Sequence, residues 1–291
     1  MGCNSCMKTD LHIHSTASDG TCTPAEILRL AGELGIGIMS ITDHDTVSGA
    51  KEILRMGIPP SIRFITGIEI SAASPENFPC AGSFHILGYN IDVDDPALNQ
   101  TLEVLREARK NRNPQIIEKL RNMGFDLSME ELIRNAGDSQ IGRPHIAGLM
   151  LKKGFVHSVD EAFDRYIGTG KPAYADKYRI SSTEAIAMIR NAGGTAVLAH
   201  PGLLKKCRDF SFEEMLCHLR ETGLRGIEVW YPEHSAEQTG YYAQLADRYG
   251  LIKTGGTDFH GAVKPGLQIG IGRGDFCVPG SAGELLITRS A

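Results

Sequence analysis

The sequence predicts an α/β fold of the barrel type with one helical segment inserted into it. Short apolar runs alternate with stretches whose apolar residues recur at helical spacing, and polar residues gather where the runs end. The alternation stops over residues 95–175, where helical patterns follow one another without a strand, and then resumes. The expected division is therefore a barrel from 7–94 and 176–291, and a helical insertion between them that serves as a lid and a substrate clamp.

Residues 7–14 read as a buried strand, in which alternate side chains share a face, so His12 and His14 point the same way. Asp19 and Gly20 follow in a polar turn. Thr23 is placed to cap a helix with Pro24 at its first position, and Gly35 ends it. The continuous apolar run 36–41 is the mark of a buried parallel strand, and it leads into Thr42-Asp43-His44-Asp45. A helix is expected over 47–56, a strand over 62–70 with Glu69 at its end, and a strand over 84–90 with His85 near its start. The inserted segment predicts helices over 96–111, 114–123, 129–135, 144–152 and 159–166. It holds two histidines, His145 and His157, and His157 reads as a surface or capping residue. Beyond it come a helix over 181–191, a strand over 195–199 ending in His200-Pro201, and a helix over 212–221. A strand over 226–231 runs into Pro232-Glu233-His234-Ser235, a helix covers 238–249, and a short strand over 251–255 leads into Asp258 and His260. That pair repeats the spacing of His12 and His14.

Composition narrows the function. At 291 residues the chain can bury a large core, and 42% hydrophobic with 22% charged residues is ordinary for a globular enzyme. A net charge of −5 argues against a broad footprint for long nucleic acid but leaves room for a local basic pocket. No apolar run approaches the roughly 20 residues of a membrane helix. The N-terminus lacks the apolar core of a signal peptide, so a cytoplasmic location is expected. The seven cysteines are scattered, which suits a reducing compartment, and the Cys3–Cys6 pair reads as incidental.

His12, His14, Asp19, His44, Glu69, His85, His200, Asp258 and His260 all lie outside the helical insertion. All but His85 lie at or just past a strand end, where α/β barrels build their sites. Each has a plainer reading, such as a satisfied loop histidine or a surface carboxylate. Recurrence of the pattern along the chain outweighs it. Imidazole mixed with carboxylate, without cysteine, suits Mn²⁺, Fe²⁺ or Zn²⁺ and argues against a structural zinc site.

The motifs D-L-H-I-H-S-T-A-S-D-G, I-T-D-H-D-T, G-I-E-I-S, A-H-P and G-T-D-F-H follow in order between residue 7 and about residue 270. In this the sequence resembles the PHP (polymerase and histidinol phosphatase) metallo-phosphoesterases. The resemblance implies a distorted (β/α)7 barrel with a metal cluster at its mouth. Gly142-Arg143-Pro144-His145 and the aspartate at position 19 resemble a bacterial branch of the family. That branch cleaves the 3′-phosphate of nucleoside 3′,5′-bisphosphates, such as pAp to AMP, and degrades short RNA from its 5′ end. The resemblance further implies one metal site from His12, His14, Glu69 and Asp258. A second would share Glu69 with His85 and His200, and a third would use Asp19, His44 and His260. Two or three Mn²⁺ ions are expected, with Fe²⁺ or Zn²⁺ as alternatives. Catalytic work is assigned to His12, His14, Glu69, His200 and Asp258. A phosphate clamp is expected from Arg143 and His145, joined by His234 and Ser235, with Lys171 and Tyr174 beyond them. The rival readings are a histidinol-phosphatase type of small-molecule enzyme and a non-catalytic binding module. The first has no need of the insertion with Arg143 and His145, and the second has no need of all nine ligands.

Overall fold

The computed structural model describes residues 7–81, 83–137, 140–206, 208–274 and 276–288. Cys3 and Cys6 lie outside them. Among the described residues a seven-stranded sheet is built from β1 (Lys8–Ile13), β2 (Ile36–Ile41), β3 (Arg63–Ala72), β5 (Phe84–Tyr89), β6 (Thr195–Leu198), β8 (Gly226–Trp230) and β9 (Ile252–Gly255), in that spatial order. A two-stranded ribbon pairs β4 (Cys80–Ala81) with β7 (Lys205–Lys206). Sequence patterns signalled neither ribbon strand, since two residues carry no periodicity.

The strands pair in parallel except around β5, which runs antiparallel to both β3 and β6. The cause lies in the connections. Parallel neighbours need a crossover of a dozen or more residues, usually through a helix, whereas β3 reaches β5 through a short loop carrying β4. Reversal puts the start of β5 beside the ends of its neighbours, with His85 opposite Ser71. The residue that was out of pattern along the sequence is thereby in place in the fold.

The sheet is curled. Leu11, Ile38, Ile65, Leu87, Tyr89, Val197 and Ile252, from six different strands, share one apolar cluster with Leu286. The Tyr89 hydroxyl donates to the Leu11 carbonyl at 3.0 Å. The two outer strands approach through an isolated bridge between Ile13 and Phe259 rather than through a ladder. Asp258 N donates to His12 O at 2.8 Å, and His14 N to Phe259 O at 2.9 Å. Leu286 belongs to a closing helix, α10 (Gly280–Thr288), beyond the stretch that sequence patterns covered.

The helices α1 (Pro24–Leu34), α2 (Ser48–Met56), α7 (Ser182–Asn191), α8 (Phe212–Thr222) and α9 (Ala236–Tyr249) alternate with the strands. The Thr23 cap forms as expected, with Glu26 closing the reciprocal bond. α9 starts two residues earlier than its periodicity indicates, because Ser235 caps it through Gln238. Between β5 and α7 lie α3 (Pro96–Asn122), α4 (Met129–Ala136), α5 (Arg143–Lys152) and α6 (Val159–Ala162). The expected break at residues 112–113 does not occur: α3 is one helix through Pro114. Proline there removes a hydrogen bond and crowds the preceding turn, a cost of about 3 kcal/mol. Burial at both ends offsets it, since Leu98, Leu102 and Leu105 sit in the main core while Ile116, Ile117 and Leu120 join a separate cluster with α4 and α5. Among the described residues no helix is long and apolar enough to cross a membrane.

Candidate metal centre and cation pocket

The fold gathers the nine candidate ligands into one cluster. Glu69, fully buried on β3, is its centre. Its Oε2 lies 3.5 Å from His12 Nε2, 3.2 Å from His14 Nε2 and 2.8 Å from His44 Nδ1. Its Oε1 lies 2.7 Å from His85 Nδ1 and 2.9 Å from His200 Nε2. Asp258 Oδ1 stands 3.2 Å from His14 Nε2 and 3.5 Å from His12 Nε2. Asp19 faces His260 Nε2 at 3.4 Å and His44 Nε2 at 3.7 Å. Three overlapping groups have donor atoms within 4.8 Å of one another: His14, Asp19, His44 and His260; His12, His14 and Glu69; His44, Glu69 and His85. The grouping differs from the expected division in drawing His14 toward Asp19 and His44 toward Glu69.

The donor set fits divalent cations. His12 Nε2, His14 Nε2, Asp19 Oδ1, His44 Nδ1, Glu69 Oε2 and His200 Nδ1 are buried without a hydrogen-bond partner. Each such atom costs roughly 1–3 kcal/mol unless something else satisfies it. The charges agree. Burial alone would push His12 and His14 down, but Glu69 and Asp258, joined by Glu228 at His12, hold His12 well above the usual imidazole range and His14 up to about 9. Burial would likewise raise Asp19, Glu69 and Asp258, yet the surrounding imidazoles, and Lys264 beside Asp258, pull all three well below the carboxylate range. Protons thus sit where cations would displace them.

A second layer holds the candidate ligands. Glu228, buried on β8, accepts from His12 Nδ1 at 2.9 Å and, through its other oxygen, from His200 N at 2.6 Å. This fixes the imidazole with Nε2 toward the cluster. Sequence reading passed over Glu228, although an acid inside the apolar run Gly226–Trp230 was a signal. Asp43 accepts from Ser15 N and Oγ, both at 2.7 Å, and from Ser18 Oγ at 2.6 Å, pinning the turn after His14. Asp10 accepts from Thr257 N, Thr257 Oγ and Gly270 N. Burial pushes its carboxyl up to about 6. His200 and Asp258 have φ of 26° and 53°, a left-handed backbone that costs non-glycine residues of order 1–3 kcal/mol and collects at functional sites. Gly256 is required by close approach, since a Cβ there would lie 2.3 Å from His12 N.

Beside the cluster a cavity of about 110 Å³ is lined by Asp19, His44 and His85 on one side and by Arg109, Arg112, Arg143, Lys177 and Arg179 on the other. Asp45, buried and left-handed at φ 54°, accepts from Arg109 Nη2 at 2.6 Å and Lys177 Nζ at 3.0 Å. Asp176 accepts from Arg179 at 2.5 Å. Cations still outnumber these carboxylates. Burial, then the Arg109 and Arg143 charges, hold Arg112 down to about 9. Burial outweighs Asp45 and holds Lys177 down to about 8. The Nε atoms of Arg109 and Arg112 are buried and unpaired. Arg143 is held between the rings of Phe163 and Tyr174, 5.6 Å from each.

The other expected clamp residues are placed differently. His145 Nδ1 accepts from Gly142 N at 3.1 Å, capping its own helix, and burial lowers its pKa. His234 donates from Nδ1 to Val229 O at 3.0 Å and accepts at Nε2 from Gly202 N at 3.1 Å, so both nitrogens are used by backbone. Ser235 serves as the cap of α9. Neither His234, Ser235 nor the exposed Lys171 lines the cavity. Arg109, Arg112, Lys177 and Arg179 escaped notice because scattered cations in a helix and a loop look like a solvated surface. The i, i+3 pair on α3 and the i, i+2 pair in the extended stretch are the signals that could have found them.

A buried imidazole–carboxylate cluster at strand ends, open to a pocket of cations, defines a metal-dependent phosphoesterase. Residues 10–151 match the PHP domain model. The chain is 32% identical to the 3′,5′-nucleoside bisphosphate phosphatase of Chromobacterium violaceum over 90% of each sequence. It is 32% identical to the 5′-3′ exoribonuclease Rnm of Escherichia coli over 86% of this chain and 84% of that one. A metal-dependent phosphoesterase structure from Bifidobacterium adolescentis superposes with a TM-score of 0.84 at 28% identity, covering 98% of this chain and 97% of that one. The chain belongs to the PHP family and is a phosphoric ester hydrolase.

Proposed function

We propose that the enzyme hydrolyses the 3′-phosphate of nucleoside 3′,5′-bisphosphates and, by the same arrangement, trims short 5′-phosphorylated RNA. The observation that carries this is the pocket of Arg109, Arg112, Arg143, Lys177 and Arg179, which shares Asp19, His44 and His85 with the cluster. A substrate with two phosphates can put one on the cations and present the other to the cluster. Arg143, flanked by rings, offers a planar fork of donors matched to phosphate. The insertion acts as a lid, since Pro144, Val159 and Phe163 line the mouth opposite the ligands. In this reading the curled sheet is the distorted (β/α)7 barrel and its mouth is the site.

The nine candidate ligands would hold two or three Mn²⁺ ions, which would supply charge for the phosphoryl oxygens and lower the pKa of water. Glu69 spans the cluster, one oxygen toward His12, His14 and His44 and the other toward His85 and His200. Glu228 keeps His12 Nε2 facing Glu69. Water adds to phosphorus, the P–O3′ bond breaks, and the 3′-oxygen leaves with a proton. Tyr231 OH, which donates to Asp258 Oδ2 at 2.8 Å, holds that carboxylate in place.

Arg143→Ala tests the reading. Hydrolysis of a nucleoside 3′,5′-bisphosphate is expected to fall far more than that of an aryl phosphate. Equal losses on both, or wild-type enzyme that accepts 3′-monophosphates as readily, refutes the two-phosphate model.

A further inference from the structure

We propose that Phe163 is a stacking platform for the nucleobase of the substrate, an inference that rests on the two-phosphate reading above. The cation pocket and the metal cavity, the latter about 230 Å³, meet at a neck that both share. On the barrel side the neck is Asp19, His44, Ser83 and His85; on the insertion side it is Pro144 and Phe163. A molecule reaching from the cations to the cluster has to thread this neck. In a nucleoside 3′,5′-bisphosphate the part between the two phosphates is the ribose, and the base branches from it.

The local structure aims the ring there. α6 runs into a wider turn, Phe163–Ile167, closed by Gly168 N donating to Phe163 O at 2.9 Å. Turns of this width are rare and recur at functional sites. Gly168 is needed for it, because a Cβ would lie 2.4 Å from Phe163 O. Phe163 packs against the apolar cluster of the insertion while still lining both cavities. Pro144, Val159 and Leu203 add apolar surface to the lining of the metal cavity that Phe163 shares. Among the described residues lining the two cavities, the other phenyl-type ring is Tyr231, which is 3% exposed and has its hydroxyl engaged by Asp258. Phe163 is therefore the ring on which a base can lie. Every base has a π-face, so the platform selects nucleosides over bare sugar phosphates without choosing among bases.

Binding to the Mn²⁺-loaded protein separates this from the activity. Calorimetric titration with AMP and with ribose 5-phosphate, which share the 5′-phosphate but not the base, is expected to show AMP bound about tenfold tighter. Phe163→Ala should close most of that gap and Phe163→Trp should keep it. Phe163→Leu, which preserves apolar volume under Arg143, should behave like the alanine variant. Melting temperature and metal content check that each variant is folded and loaded. The proposal is overturned if wild-type protein binds the two ligands equally, or if Phe163→Leu weakens both by the same factor, since the ring then only props Arg143. If the AMP gap is present but adenosine 3′,5′-bisphosphate is not hydrolysed, the assigned activity fails and the platform stands.

Discussion

Glu69 shows how much one side chain is asked to do. A carboxylate at 1% exposure with five imidazole nitrogens within 3.5 Å is held by mutual neutralisation rather than by hydration. Glu69→Gln keeps the volume and removes the charge. Metal content by elemental analysis should fall, and phosphate release should drop by more than the 10- to 100-fold typical of outer-shell changes. Full metal content with full rate would remove Glu69 from the site. Lys177 supplies a pH test. Its folded pKa is lowered from 10.5 to about 8, chiefly by burial. The folded chain thus loses this proton as pH passes 8 while the unfolded chain keeps it to about 10.5, so stability rises across that interval as the pocket loses a cation. kcat/KM for the bisphosphate should decline above about pH 8 and hold for an aryl phosphate. Lys177→Arg, charged throughout, should flatten the decline; an unchanged profile in that variant would clear Lys177.

Single elements carry consequences of their own. α3 has one half packed in the main core and the other in the separate cluster with α4 and α5, with Arg109 and Arg112 buried where the two meet. The cation pocket is therefore built where these two clusters meet, and the Asp45 bonds to Arg109 and Lys177 tie that junction to the loop carrying His44. Asp45→Asn should raise KM for a two-phosphate substrate severalfold while leaving metal content near normal; a variant that loses metal instead would place Asp45 in the cluster's support. At α1, Thr23 accepts from Glu26 N at 3.2 Å. Thr23→Ala should cost about 1 kcal/mol in denaturant unfolding, with no effect on substrate preference.

At the scale of the whole molecule, the cluster stores unpaired polar atoms and crowded charge that cations would relieve. A chelator should lower the melting temperature, and restored Mn²⁺ should raise it again, by about 2.7 kcal/mol of stabilisation at 100 times the dissociation constant. The same titration in Glu69→Gln should show a much smaller rise. Equal melting temperatures with and without metal would argue that the orphaned atoms are satisfied some other way.

The sequence by itself determined most of the elements and the types of the candidate ligands. Apolar runs, capping residues and glycine stops are local signals, so the strands carrying His12 and Glu69 and the cap at Thr23 were legible without a fold. The recurrence of histidine and carboxylate at strand ends was legible for the same reason, and the motif order with it. Only the tertiary structure decided what depends on contacts between distant residues. His85 reaches the cluster because β5 is reversed, and a strand's direction is set by its connections. Glu228 turns out to orient His12 across 216 positions of sequence. Pro114 stays inside α3 because burial at both ends outweighs a local penalty. The cations of the pocket come from a helix and a loop with no shared motif, and their surplus charge is gathered in one cavity only once the chain has buried them together.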